Sequence, residues 1–520
     1  MSVDSLRKRY LFKLSSSMLG FAISIIIQAM VPRGLGPKAF GDYAFLTSIL
    51  TQIVLFFDLG NSSAFFVKLS QRPKEFKLAA FYFYFTFLGF GLFLLGLTVI
   101  FLTPEFYKQF FPNQELLYII IATFYAIFSR ILQVLNNMTD AYGLTVQSEK
   151  GMMAQKIVGL LIILLLYLTN KLNLTNYFLY QYLIITFLSF LFIWIIRDYG
   201  IFKNANWKLS INNIKEYINE FYTYSHPLLI GFLFGFVSGI LDRWLLQYFG
   251  GSVEQGFYGL SFQISTVSTL FTGAMSMLIM REFSIAFSKH DLIRMSYLFR
   301  RFIPLLYSIA AYISCFVAIQ SDKLIYLMGG SQYKGAYMAV FIMSFYPVHQ
   351  TYGQLSGSVF LATGQTKQYA RLGIMSVILG LPMLFFFVAS SKFFGLNLGA
   401  TGLAIKMVLI QIIFVNIQLY YNSRLLNLNF WKYLGHQFVS VACLLIISLF
   451  VMWIVDYGIH LEKQLILNFL LSGMIYTVLT ATLVYFQPIV FGISNQDITY
   501  IKNILSERVI KYIKLTNLKR

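Results

Sequence analysis

Apolar residues run along this chain in stretches of about 20, and the short segments between them hold most of the charge. The stretches fall near residues 14–34, 42–66, 78–102, 115–139, 152–169 and 177–198, then 222–247, 256–280, 299–320, 335–361, 371–389, 396–420, 434–456 and 465–490. At 1.5 Å of rise per residue, about 20 residues cross a hydrocarbon layer of about 30 Å. The pattern therefore predicts an all-α, polytopic membrane protein with fourteen transmembrane helices and both ends on one side.

Composition agrees: 58% of the 520 residues are hydrophobic and 12% are charged, where soluble domains carry about 25%. Of the 40 basic residues, 29 fall on the N-terminal side of this arrangement and 9 on the other, which predicts cytoplasmic termini in a bacterial inner membrane. Basic loops facing anionic lipid account for the net charge of +20, so membrane lipids and no nucleic acid are expected as partners. The first stretch follows Arg7, Lys8 and Arg9 but lacks a small-x-small cleavage site, and reads as a retained span.

Several chemistries are excluded. Cys315 and Cys443 both lie inside apolar stretches, the five histidines are scattered, and there is no phosphate-binding G-x-x-x-x-G-K-[ST] and no D-x-D. No catalytic residues, metal site or cofactor are expected. Transport would draw on a substrate gradient, the membrane potential or an ion gradient, with Na+ or H+ as the candidate coupling ion.

The chain also repeats. Gly36, Gly41 and Tyr43 recur as Gly251, Gly256 and Tyr258 at a shift of 215, and Gly143, Gln147 and Lys150 recur as Gly364, Gln368 and Arg371 at 221. Duplication of a six-span unit in one orientation follows, placing the pathway between two lobes related by an axis along the membrane normal. The divisions are an N-terminal lobe over 1–200, an amphipathic cytoplasmic linker helix over 201–221, a C-terminal lobe over 222–425, two further spans in 426–492, and a basic amphipathic tail over 493–520. The linker's apolar face is read from Leu209, Ile211, Ile214, Ile218 and Phe221. The glycines Gly231, Gly235 and Gly239, and the pair Gly353 and Gly357, read as close helix-packing positions.

The string Leu35-Gly36-Pro37 to Gly41-Asp42-Tyr43, then Asp58-Leu59-Gly60-Asn61-Ser62-Ser63-Ala64, Asp242-Arg243, and Gly399-Ala400-Thr401-Gly402-Leu403-Ala404 resembles the polysaccharide-transport branch of the multidrug/oligosaccharidyl-lipid/polysaccharide exporter superfamily. Its O-antigen flippases are the nearest analogy. The resemblance implies movement of undecaprenyl-diphosphate-linked oligosaccharides, for O-antigen, capsule or exopolysaccharide, from the inner to the outer leaflet by two rocking lobes. A polysaccharide polymerase and chain-length machinery are the implied downstream partners. The rival within transport is a multidrug or organic-cation exporter; a membrane polymerase or glycosyltransferase is the rival among enzymes.

Charge inside a bilayer is costly, so embedded ionisable residues are the candidate site. Asp58 and Arg130 lie about 24 and 22 Å from the outer ends of their spans. They read either as a salt bridge pinning two helices or as a cation site beside a substrate-facing arginine. Lys406 lies about 15 Å deep, while Asp242, Arg243 and Arg33 lie near the outer surface. A lipid diphosphate is an anion that arginine's planar fork matches. Arg33, Arg130, Arg243 and Lys406 are therefore the candidate substrate-binding residues, with Asp58 and Asp242 for ion coupling or charge pairing.

Overall fold

A computed structural model describes residues 6–73, 75–198, 209–460 and 464–493, and these are helical throughout, with no strand among them. In chain order the helices are α1 (Leu6–Phe56), α2 (Asn61–Gln71), α3 (Phe76–Leu102), α4 (Pro104–Phe110), α5 (Leu116–Ala141), α6 (Thr145–Leu168), α7 (Leu174–Asp198), α8 (Ile211–Thr266), α9 (Leu270–Ser288), α10 (Leu292–Ile319), α11 (Ser321–Gly329), α12 (Tyr337–Met343), α13 (Tyr346–Ala362), α14 (Thr366–Val388), α15 (Gly399–Leu425), α16 (Phe430–Trp453) and α17 (Leu465–Phe486). Among the described residues, eleven helices are long and apolar enough to cross a membrane. The two longest apolar segments, Leu19–Phe56 and Leu229–Thr269, each hold parts of two predicted stretches.

What divides those two is a glycine. Gly36 has φ 74° and ψ 167°, and Gly251 has φ 73° and ψ −172°. That region is essentially closed to side-chain-bearing residues, so each helix bends where the sequence repeats. The second repeated pair behaves alike: Gly143 and Gly364 have φ 75° and 72° at the turns after α5 and α13.

The chain packs as two compact units. One runs through Leu260 and takes in Met328–Tyr333 and Val377–Leu403; the other comprises Ser261–Leu327, Lys334–Ser376 and the chain from Ala404 onward. In the first, α1 and α5 pack around Phe45, Ile49, Phe93, Ile119 and Phe178. In the second, the core joins α9, α10, α13, α15, α16 and α17 through Phe283, Phe299, Tyr352, Leu419, Leu444 and Tyr476.

Three local readings change. Residues 211–221 form the first turns of α8, continuous with the stretch expected to follow a separate linker. Their buried side is Tyr217 and Phe221, which pack on Phe81 and Tyr82 of α3, while Ile211, Ile214 and Ile218 stay exposed. The aromatic pair wins because α3 offers rings to meet it. The stretch at 42–66 is broken: α1 ends at Phe56, Leu59 and Gly60 take positive φ, and α2 starts at Asn61. Finally, Gly231 and Gly235 have no atom within 4 Å of a built Cβ, so they do not serve as packing positions. They line a cavity of about 260 Å3 with Gln52, Phe56, Phe232 and Phe236. Gly353, by contrast, packs on Val415 and Gly357 on Tyr369, as expected. Residues 201–208 of the predicted linker, and the tail from 494 on, lie outside the described residues.

Candidate functional site

Asp58 sits in the break between α1 and α2, where it does two jobs. One carboxylate oxygen accepts the Ser62 N–H at 3.0 Å, capping the first turn of α2, where the helix dipole favours an anion. The other accepts the Tyr82 hydroxyl of α3 at 2.8 Å and forms an ion pair with Arg130 of α5. Arg130 also donates to the Tyr82 oxygen at 2.6 Å and, from its other terminal nitrogen, to Gln133 at 2.7 Å. Arg130 is 3% exposed and Asp58 8%. A cavity of about 10 Å3 beside them, room for one water, is lined by Thr86 and Phe90. Helices α1, α2, α3 and α5 are thus joined through one buried ion pair. The signal in the sequence was Asp58-Leu59-Gly60-Asn61-Ser62, a helix-start pattern hidden by the apolar residues around it.

The repeated junctions meet each other within the first unit. A Cβ on Gly41 would lie 1.7 Å from the carbonyl oxygen of Ser252, and one on Gly256 would lie 2.1 Å from that of Pro37. The shift of 215 carries Pro37 onto Ser252 and Gly41 onto Gly256, so the contact is reciprocal and only glycine fits either place. Polar groups close around it. The Ser252 hydroxyl donates to Asp42, which also accepts from the Gln114 amide at 2.7 Å. Gln247 donates to Ser252 and to the Pro112 carbonyl, both at 3.1 Å. The Glu254 carboxylate accepts the Ala400 N–H at 2.6 Å, at the start of α15.

Of the remaining candidates, Arg243 lies over the Tyr258 ring at 4.6 Å and donates to Gln255 at 3.2 Å. Asp242 is half-buried and Arg33 is exposed, close to Gly330. Lys406 lies on α15 in the second unit and is 4% exposed. The structure thus brings Asp58 and Arg130 together, holds Arg243 by its own neighbours, and places Lys406 in a different unit from the three arginines.

Two further charged residues are buried, Glu149 on α6 and Lys323. Lys323 on α11 donates to Asp456 at 2.9 Å and to Asn468 at 2.8 Å, and the Asn468 amide donates to Asp456 at 2.6 Å. This ties α11 to the ends of α16 and α17. The partners lie far apart in sequence and each sits at the edge of an apolar stretch, where a charge attracts no notice. Among the described residues no group of three metal-ligating side chains occurs.

Solved structures that share this fold include two membrane proteins. A lipid II flippase, MurJ, in an inward closed conformation superposes with a TM-score of 0.62 at 13% identity, covering 91% of this chain and 99% of that one. An inward-facing multidrug resistance transporter of the MATE family, in the MOP superfamily, gives 0.59 at 13%, covering 80% and 98%. Identities this low establish likeness of fold, and the fold is the polytopic helical one that these two membrane proteins share. Residues 6–280 match the family of polysaccharide biosynthesis proteins, and the chain belongs to that family. Comparison with curated proteins gives no sequence match.

Proposed function

We propose that this protein moves polyprenyl-diphosphate-linked oligosaccharide units from the inner to the outer leaflet of a bacterial inner membrane by alternating access, supplying a polymerase and its chain-length machinery. Membership of a polysaccharide biosynthesis family, in a chain with the transporter fold, carries the reading. The buried cations support it. A diphosphate brings two negative charges into hydrocarbon, and Lys406 and Arg130 are cations held where desolvation makes charge pairing strong. Arg33 and Arg243 lie toward the same end of their stretches as the Gly36 and Gly251 junctions and would meet the headgroup there. Asp58 orients Arg130, and Asp242 neighbours Arg243. The chain crosses fourteen times with both termini in the cytoplasm.

The test is surface glycan in cells that depend on this chain, together with the amount of lipid-linked oligosaccharide retained. Lys406→Ala and Arg130→Ala should lose surface glycan and accumulate the lipid-linked unit, and Lys406→Arg should retain more activity than Lys406→Gln. Full export by both alanine variants at wild-type abundance would remove the cations from the mechanism and favour an exporter of organic cations.

A further inference from the structure

Within the first unit, the end of α1 and the early turns of α8 enclose the groove of about 260 Å3, walled by Leu55, Phe56 and Leu59 on one side and Phe232, Leu233 and Phe236 on the other. Its width comes from absent side chains. Gly231 and Gly235 line it one helical turn apart, and neither has an atom within 4 Å of a built Cβ. One turn further along α8 the groove ends, because a Cβ on Gly239 would lie 2.3 Å from the Gln52 side-chain oxygen. Phe56 and Phe236 stack with ring centres 4.4 Å apart, and the Phe232 ring lies on Gly60, where a Cβ would come within 2.3 Å of it. The groove therefore touches the break that positions Asp58, where Leu59 and Gly60 have φ 52° and 77°.

Depth decides what fills it. Counted from the bends at Gly36 and Gly251, Gln52 lies about 24 Å along α1, and Phe236 and Leu229 lie about 22 and 33 Å along α8. In a hydrocarbon layer of about 30 Å these positions fall in the leaflet opposite the bends, so the medium at the groove is lipid chain. Beyond Leu229 the same face of α8 changes character. Tyr222, His226, Leu229, Leu233 and Phe236 share that face at helical spacing, and the exposed rings of Tyr222 and His226 have centres 5.0 Å apart. They lie about 38 to 44 Å from Gly251, past the hydrocarbon and among headgroups. A phenol and an imidazole there offer O–H and N–H groups to phosphate oxygens. The whole face thus suits an amphiphile with phosphate at the surface and its chain beneath.

We propose that this groove is the docking site for the lipid chain of the cargo in the inner leaflet, taking the isoprene units next to the diphosphate while Tyr222 and His226 meet the diphosphate itself. A straight acyl chain has nothing to place in the gaps at Gly231 and Gly235, whereas a polyisoprenoid carries a methyl branch on every unit. From Leu229 to Phe236 the groove runs about 10 Å, so it holds only the first units and leaves the rest of the chain in the bilayer. Occupancy presses on Leu59 and Gly60 and so reaches the Asp58–Arg130 pair. The identity of the cargo and the choice of leaflet rest on the function proposed above; the preference for a branched chain does not.

The full chain in lipid nanodiscs, irradiated with a farnesyl diphosphate that carries a photoreactive diazirine in its chain, tests this. Label should map to residues 55–60 and 229–236 and be displaced by unlabelled farnesyl diphosphate but not by straight-chain dodecyl diphosphate. Gly235→Leu, whose side chain enters the gap, should lower labelling at least about tenfold, the factor that losing about two buried methylenes gives. If that variant does not purify as a single species, Gly231→Ala with Gly235→Ala narrows the groove with less bulk. Tyr222→Phe with His226→Ala should weaken labelling by the diphosphate probe and leave labelling by the matching farnesol probe unchanged. No label in the groove, equal displacement by the straight chain, undiminished label in the glycine variants, or a headgroup variant that treats the two probes alike overturns the proposal. Label in the groove of a chain that exports no glycan sinks the glycan reading alone; glycan export kept by Gly235→Leu after its label is lost sinks the docking site alone.

Discussion

Among the described residues Arg130 holds the only positive charge in contact with the Asp58 carboxylate, so Arg130→Ala leaves that anion buried with a tyrosine hydroxyl and one backbone N–H. Removing one member of a buried ion pair costs about 3–5 kcal/mol, mostly because the survivor is uncompensated. Asp58→Asn strands the arginine in the same way while keeping the α2 cap, since asparagine caps as well as aspartate. Asp58→Ala loses the cap too and should be worse by about 1 kcal/mol. The double change Asp58→Asn with Arg130→Gln leaves two neutral amides within reach of Tyr82 and Gln133. It should recover about 2–3 kcal/mol of what the singles lose together. The assay is thermal unfolding of the purified chain in detergent, read as loss of the monodisperse species, with glycan export followed in parallel. An Arg130→Ala protein as stable as wild type, or a double variant no more stable than the worse single, would refute the reasoning. A double variant that folds but exports nothing would mean that the pair contacts the cargo as well as holding α1, α2, α3 and α5 together.

The remaining predictions concern packing, pH and topology. Gly41→Ala should abolish folded protein, because its methyl would meet the Ser252 carbonyl at 1.7 Å, while Gly235→Ala, with nothing within 4 Å, should leave abundance unchanged; both are read by membrane fraction and gel filtration. Burial raises the Glu220 carboxyl, but hydrogen bonds from Arg72 and Lys68 outweigh it and hold the group below the usual glutamate value of 4.5. Its pairs with Arg72 at 2.6 Å and Lys68 at 2.9 Å therefore stabilise the protein above that value and are lost as the pH falls through the lowered one. Glu220→Gln should cost at most about 1 kcal/mol at neutral pH and remove that part of the acid sensitivity, as melting curves at stepped pH would show. With Cys315 and Cys443 replaced, single cysteines at Lys108 and Lys171 should react with a membrane-impermeant maleimide from outside and those at Lys289 and Lys432 should not; the reverse pattern would overturn the orientation.

The helices were legible because crossing hydrocarbon demands about 20 apolar residues whatever surrounds them, and no tertiary contact can waive that demand. The repeated glycines were legible for a similar reason: a backbone turn that excludes side chains leaves glycine at matching offsets, as at Gly36 and Gly251 or Gly143 and Gly364. What the pattern could not supply was anything set by a partner. The spacing of Gly231 and Gly235 records that side chains are missing, and whether a helix or a cavity fills the space depends on Phe56 and Phe232, which the spacing does not contain. The start of α8 turns inward on Tyr217 and Phe221 because rings on α3 receive them, though its isoleucines have the better helical period.

Asp58 and Arg130 stood out because charge in an apolar stretch is conspicuous, whereas the serines and threonines of the same stretches attract no notice. In water a helix turns its apolar face to the core. In lipid both sides of a helix are offered apolar surroundings, so hydrophobicity no longer distinguishes the face that packs, and small or hydrogen-bonding residues do so instead. The run Asn468, Ser472, Tyr476 and Thr480, at every fourth position of an otherwise apolar helix, marked the buried side of α17 in the sequence itself. Read that way, the side that α17 buries follows from spacing alone, whereas the pairing of Lys323 with Asp456 across 133 residues follows only from the fold.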